Sequence, residues 1–251
     1  MRRHPPPQGD AIRWLSADIT RAETLAVVPE RIDRLVFLPT PHTREREAYR
    51  AVFLDGLRNV LGALDATCLK RVVFVSSSAV YGEHGEAWVD ESTPAAPLGF
   101  NGQVLLEAEQ WLAAQPVDAI VLRLAGLYGP GRTQLFERLL AGQASAPRAR
   151  PHWANRIHVD DAAAAIVHLL GLRHHQGVYL GSDDVPLPLD ALYDDLARRL
   201  GAPPVKEGAA PAGVGSKRLS NARLKDAGFR FRWPDAREGY AALLVDPSTA
   251  R

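Results

Sequence analysis

Three consecutive serines, Ser76-Ser77-Ser78, close the apolar run Arg71-Val72-Val73-Phe74-Val75. Hydroxyls at such a position can both donate to and accept from a ligand. They suit the orientation of a substrate hydroxyl or carbonyl, and they equally suit an ordinary polar turn. Two phenols lie close by in the sequence, Tyr81 in the segment that follows and Tyr128 after the run Val121-Leu122-Arg123-Leu124. Arg132 could reach an anionic ligand or serve only at the surface. His158 could touch a ligand, but it reads more readily as a helix-entry residue, with Asp160 or Asp161 capping the helix behind it. Glu107 and Glu109 point to different faces of a helix and form no acid/base dyad. Asp183 and Asp184 fall in a turn. His174-His175 has no Cys or carboxylate at usable spacing, so no metal is expected.

The elements that would hold these groups alternate. Residues 12–15 alternate weakly, as a strand does. Asp18 and Thr20 mark a turn, with Thr20 as cap of a short helix through Val27. Residues 34–38 form an apolar run stopped by Pro39, as in a buried strand. From 43 to about 66, Tyr49, Val52, Phe53, Leu57, Val60, Leu61 and Leu64 recur at helical spacing. Residues 71–75 read as strand, 101–114 as helix and 117–124 as strand. Alternation of this kind implies βαβ units and a parallel sheet, with ligands outside the carboxyl ends of its strands. Leu38-Pro39-Thr40, Ser76-Ser77-Ser78 and Leu124-Ala125-Gly126 would all stand on that rim. Beyond Gly131, helices near 133–141, 160–172 and 188–200 mix with short strands, including 178–180. The tract 208–215 reads as a flexible loop. Residues 1–131 are therefore read as a core and 132–251 as a smaller α+β lobe interleaved with the last strands.

The 251 residues are 46% hydrophobic, enough for a large core. Thirty basic side chains against twenty-nine acidic ones give a net charge of +1, with no basic block that would call for nucleic acid. No apolar run is long enough to span a bilayer. The basic start, Met1-Arg2-Arg3-His4, lacks the apolar stretch of a secretory signal. One cysteine, Cys68, suits a reducing compartment. A cytoplasmic protein with a small-molecule substrate is expected.

The segment Ser76-Ser77-Ser78-Ala79-Val80-Tyr81-Gly82 resembles the active-site loop of the extended short-chain dehydrogenases/reductases, the NAD-dependent epimerase/dehydratase family. Further landmarks follow in family order. Asp18-Ile19-Thr20 is similar to the segment that contacts adenine, and Leu38-Pro39-Thr40-Pro41 to the one that lines the ribose. Arg123 through Arg132 resembles the strand and loop flanking the nicotinamide. Asn155-Arg156-Ile157-His158-Val159-Asp160-Asp161 resembles the motif that opens a helix of the substrate lobe. The resemblance covers residues 12–245. It implies a Rossmann-type doubly wound parallel sheet that binds NAD or NADP. Asp18, Ile19, Leu38, Pro39, Thr40, Ser76, Ala125, Gly126 and Leu127 would face the cofactor. Ser77 would act in catalysis, and Ser78, Tyr81, Asn101, Arg132 and His158 would line the substrate. Homodimerisation through helices 43–66 and 101–114 is the family habit.

The departures from the family are as informative. The glycine-rich phosphate loop that places a pyrophosphate on a helix N-terminus is missing. The first βα unit and the second strand, about thirty residues, are thus expected to be absent relative to the family. Arg2 and Arg3 would then lie where basic residues select the 2′-phosphate of NADP, which favours NADP slightly over NAD; a solvated basic tail accounts for them equally well. The family's proton-transfer Tyr falls on Asn101 and its Lys on Leu105. The Asp-Glu pair of sugar dehydratases falls on Ser78 and Ala79. An Arg that often grips a nucleotide diphosphate falls on Ala154. Three functions stay open: an oxidoreductase or epimerase for a small hydroxylated or sugar-like substrate, a non-catalytic NAD(P)(H) sensor or scaffold, and a shortened remnant that binds no dinucleotide.

Overall fold

A computed structural model of the chain describes Met1, Arg3 and residues 12–245. Four strands, Arg34–Phe37, Arg71–Ser77, Ala119–Leu124 and Val178–Gly181, pair in that order into one parallel sheet. The register sets Phe37 beside Phe74, Phe74 beside Val121, and Leu124 beside both Ser77 and Gly181. Val72, Val73, Phe74, Ile120 and Leu122 are almost wholly buried. Continuous apolar strands of this kind arise where both faces of a parallel sheet are covered.

Alternation along the strand sends Phe74 and Ser76 to one face and Val73, Val75 and Ser77 to the other. The first face packs on the helix over 46–62, where Phe53 meets Phe74 edge to face, and on the helix Phe100–Ala113, whose Glu109 reaches Ser76. The helix Val159–Gly171 contributes Ala162, Ala165 and Leu169 to the same core. The lobe gathers a second core around Leu139, Leu189, Leu192, Leu196 and Tyr240. Residues after 131 thus enter both cores, since Leu219, Leu224 and Phe229 pack with the sheet.

Three expectations change. Residues 12–15 form no strand, and only Ser16 makes an isolated bridge. Ile12 is 57% exposed, so that segment lacks the burial that would hold a ladder in place. Thr20 caps nothing; its amide and hydroxyl both donate to Asp18, which shapes the turn ahead of the 3-10 helix Ala22–Val27. The helix expected over 43–66 runs from Arg46 to Gly62 and widens into a π-turn at Ala51–Asp55. Wide turns of this type recur at functional sites, and this one lies between two cavities.

Candidate functional site

Three cavities follow one another along the carboxyl ends of the strands. The first, about 490 Å³, is lined by Arg3, Asp18, Ile19 and Leu38–Thr40. The second, about 550 Å³, shares Leu38, Pro39 and Thr40 with the first and adds Tyr49, Ser76, Ser77, Leu127 and Arg132. The third, about 330 Å³, shares Ser77, Asn101 and Ala125 with the second and adds Ser78, Gly126, Arg156 and Lys217. Tyr49 and Phe53 wall the second cavity and Ala48, Ala51 and Val52 the first, so the π-turn helix stands between them. Together the cavities make a trench in the crevice where a parallel sheet binds ligands.

The three serines have three fates. Ser76 is buried, and its hydroxyl donates to Glu109. Ser77 stands at the junction of the second and third cavities. Its Oγ accepts from the Ala79 amide at 3.2 Å, which leaves its own hydroxyl proton free to be donated. Ser78 opens the 3-10 turn Ser78–Val80 and lines the third cavity. The helix behind them comes close because residue 102 is glycine: a Cβ there would lie 2.2 Å from the Ala79 carbonyl oxygen.

A fully connected buried network supports this loop. Arg123 donates to both oxygens of Glu109, at 2.6 Å to Oε2, and to the Tyr81 hydroxyl at 2.7 Å. Tyr81 donates in turn to the Asp90 carbonyl at 2.9 Å. Burial opposes the Arg123 charge, but Glu109 and Tyr81 outweigh it and raise its pKa. For Tyr81 burial acts the other way and raises the pKa. Glu107, two residues before Glu109, instead pairs at the surface with Arg50.

Asp18, Ile19, Leu38, Pro39, Thr40, Ser76, Ser77, Ser78, Asn101, Ala125, Gly126, Leu127 and Arg132 therefore line one trench, as does Arg3. Arg2 lies outside the described residues. Tyr81 and His158 line none of the three cavities. The Tyr81 hydroxyl is spent on Arg123 and Asp90, and His158 is 2% exposed. His158 caps the helix Val159–Gly171 by accepting from the Asp160 amide, the role expected of an aspartate. Asp161 instead accepts from the amides of Arg232 and Trp233, fastening the C-terminal segment. Asn101 and Leu105 both line the second cavity, so the helix presents an amide and an isobutyl group there.

Residues 2–180 match the NAD dependent epimerase/dehydratase family. The chain belongs to that family. A solved structure from Methylobacillus flagellatus, described as an NAD-dependent epimerase/dehydratase, is 39% identical, with a TM-score of 0.79 over 96% of this chain and 86% of that one. Protein YeeZ of Escherichia coli K12 is 33% identical over 73% of this chain and 66% of its own length. A 3-diazoavenalumate denitrifying reductase of Streptomyces is 30% identical over 60% of this chain and 53% of its own. The chain thus spans just under two thirds, or less, of the curated relatives it matches. The trench lies in the crevice where a fold of this family offers room for a dinucleotide. Asp18 and Ile19 line its first cavity, Leu38–Thr40 the first and second, Leu127 the second, and Ala125 the second and third. No glycine-rich cradle for the pyrophosphate is present among the described residues. No described helix is long and apolar enough to cross a membrane.

Two features of this trench escape a reading by motif. The pair Glu109–Arg123 had a visible signal, a charge on the apolar face of each of two core elements. Lys217 had none, because it follows a glycine-rich loop and meets the trench only through the fold.

Proposed function

We propose that the chain binds a nicotinamide dinucleotide along the first two cavities and works as an oxidoreductase or epimerase on a small hydroxylated substrate held in the third. One observation carries this reading: Ser77 and Asn101 stand where the second cavity opens into the third. A bound nicotinamide would supply hydride exchange. The residues of the chain would supply position. Ser77 would donate its hydroxyl to the substrate oxygen, Asn101 would hold the neighbouring polar group, and Leu124, Leu127 and Ile166 would keep water off that end. The reductase named among the relatives supports the redox branch. Arg3, which faces the adenine-end cavity 4.0 Å from Asp18, supports NADP over NAD. A small-molecule partner, a cytoplasmic location and a homodimer formed through the paired helices over 46–62 and 100–113 belong to the same reading, which involves neither nucleic acid nor membrane. Light scattering that returns a monomer mass would remove the dimer from it.

A second reading has its own support. Neither Asn101 nor Leu105 can move a proton at neutral pH, which favours a sensor that binds the cofactor without turnover. One set of measurements separates the two. NADH and NADPH are titrated by nicotinamide fluorescence, and turnover is followed on a panel of small hydroxy and oxo compounds. The enzyme reading expects binding, turnover, and a loss of about 10²-fold or more in kcat for Ser77→Ala. Tight binding with no turnover across the panel establishes the sensor. No binding of either nucleotide overturns both.

A further inference from the structure

Lys217 is 3% exposed. Its Nζ donates to the Gly215 carbonyl at 2.9 Å, which leaves two of the three ammonium donors. No ion pair joins it to a carboxylate among the described residues. Glu83, the acid that acts on it from a distance, already accepts from the amides of Gly85 and Ser216. A buried ammonium without a counter-ion is costly, and its burial lowers its pKa. The fold nonetheless fixes it in place. Asn155 donates to the Lys217 carbonyl and accepts from the Leu219 amide. A Cβ at Gly215 would lie 2.3 Å from the Gly82 carbonyl oxygen, so the strand of chain carrying Lys217 is pressed onto the end of the serine loop.

The cavity that Lys217 lines repeats the imbalance. Arg156 lines it too, donating to the Asn155 carbonyl at 3.1 Å and interacting with the Tyr240 hydroxyl; it makes no ion pair among the described residues, and Asp183 acts on it only from beyond ion-pair distance. Trp153 lines it with a buried indole N–H that has no hydrogen-bond partner among the described residues. Among the described residues no Asp or Glu lines it. What the cavity lacks is therefore an anion, and beside the two cations it offers the hydroxyls of Ser77 and Ser78 together with His152, Asn101, Asn155 and Tyr193.

We propose that this third cavity binds the carboxylate of a small hydroxy or oxo acid, with Lys217 and Arg156 as its cationic anchors and the hydroxyl or carbonyl carbon turned toward Ser77. Only the last clause rests on the function proposed above. At about 330 Å³ the space lies at the small end of ligand pockets, which suits a short acid.

The test uses the whole chain and malonate as an unreactive carboxylate probe, with binding followed by intrinsic Trp fluorescence. Malonate is expected to bind at least tenfold more tightly than malonamide, its neutral isostere. Lys217→Met is expected to weaken malonate at least tenfold while NADPH affinity, read separately, stays within twofold. Equal binding of malonate and malonamide overturns the proposal on the unaltered protein, whether or not the variant folds. Malonate binding that is indifferent to Lys217→Met overturns it as well, and so does inorganic phosphate binding more tightly than malonate in a manner that depends on Lys217. Loss of NADPH binding with malonate binding intact would instead strike the cofactor reading and leave the acid site standing.

Discussion

Two buried polar clusters flank the trench, and they solve the problem of burial in opposite ways. Beneath the serine loop, Ser76, Glu109, Arg123, Tyr81 and the Asp90 carbonyl form one chain of hydrogen bonds, each group with a partner. Beneath the lobe, Asp183 is 1% exposed and, among the described residues, neither its carboxylate oxygens nor the Tyr128 hydroxyl has a hydrogen-bond partner. The first cluster keeps its charges by pairing them. The second sheds its charge: burial, then the neighbouring Asp235, push Asp183 up to about 8 against the opposing pull of Arg156. The Val185 amide also pulls downward but falls outside hydrogen-bonding geometry. A paired network fixes the geometry of the loop that carries Ser77, whereas a neutral acid merely fills space until the pH rises. Support for the site is thus concentrated on its serine side.

The comparison breaks most readily at Glu109. Replacing Glu109 with Gln leaves the Arg123 guanidinium buried without its counter-ion, and a loss of about 3–5 kcal/mol is expected from urea unfolding. Adding Arg123→Met to that variant should recover part of the loss, because the uncompensated charge goes with the arginine. If Glu109→Gln unfolds at the urea concentration of the unaltered protein, the network is not what holds the loop.

Asp183 gives an effect that depends on pH and is small within any one pH unit. In the unfolded chain an aspartate loses its proton near its ordinary value of 3.8, and in the folded chain it holds it to about 8. Between those limits the folded state binds more protons, so stability falls as pH rises and levels off above the folded value. Asp183→Asn removes this decline. The variant should gain on the unaltered protein at no more than about 1.4 kcal/mol per pH unit across that window. Thermal melts between pH 5 and pH 8, within the range set by those two values, check it. Parallel melting curves for the two proteins would mean that the acid is partnered or already ionised.

These contrasts also show where the sequence could be read and where it could not. The sheet was legible because runs such as Arg71–Ser77 are apolar on both faces, and a parallel strand buried twice leaves that pattern. The trench was legible because its landmarks sit at strand ends, a position that the order of elements dictates. Local patterns gave out where a partner comes from far along the chain. Ser76 looked like its two neighbours until Glu109, thirty-three residues on, took its hydroxyl. His158 took the capping place expected of an aspartate because Asp161 is drawn to the amides of residues more than seventy positions away. Lys217 acquires meaning only when residues 215–219 dock beside Ser77, and no local period announces that.

The two tyrosines sharpen the comparison at its finest grain, because the same substitution should act oppositely in the two clusters. Tyr81→Phe strands the buried Arg123 Nη1 donor and takes one of its two donors from the Asp90 carbonyl, which keeps the Thr93 amide, and about 1–3 kcal/mol should be lost. Tyr128→Phe strands nothing. Its hydroxyl is buried without a partner among the described residues, burial raises its pKa, and it sits in space left only because residue 239 is glycine, where a Cβ would lie 2.1 Å from the oxygen. The ring itself stays stacked on Tyr240 at 4.3 Å and edge-on to His158 at 5.1 Å whether or not it carries the oxygen. The phenylalanine variant should therefore be as stable as the unaltered protein or up to about 1 kcal/mol more so. Urea unfolding at neutral pH reads both variants on one scale. A loss at Tyr128→Phe equal to that at Tyr81→Phe would mean that the lobe's hydroxyl is as well partnered as the loop's, and the division of the buried polar groups into a paired set and an orphaned set would not stand.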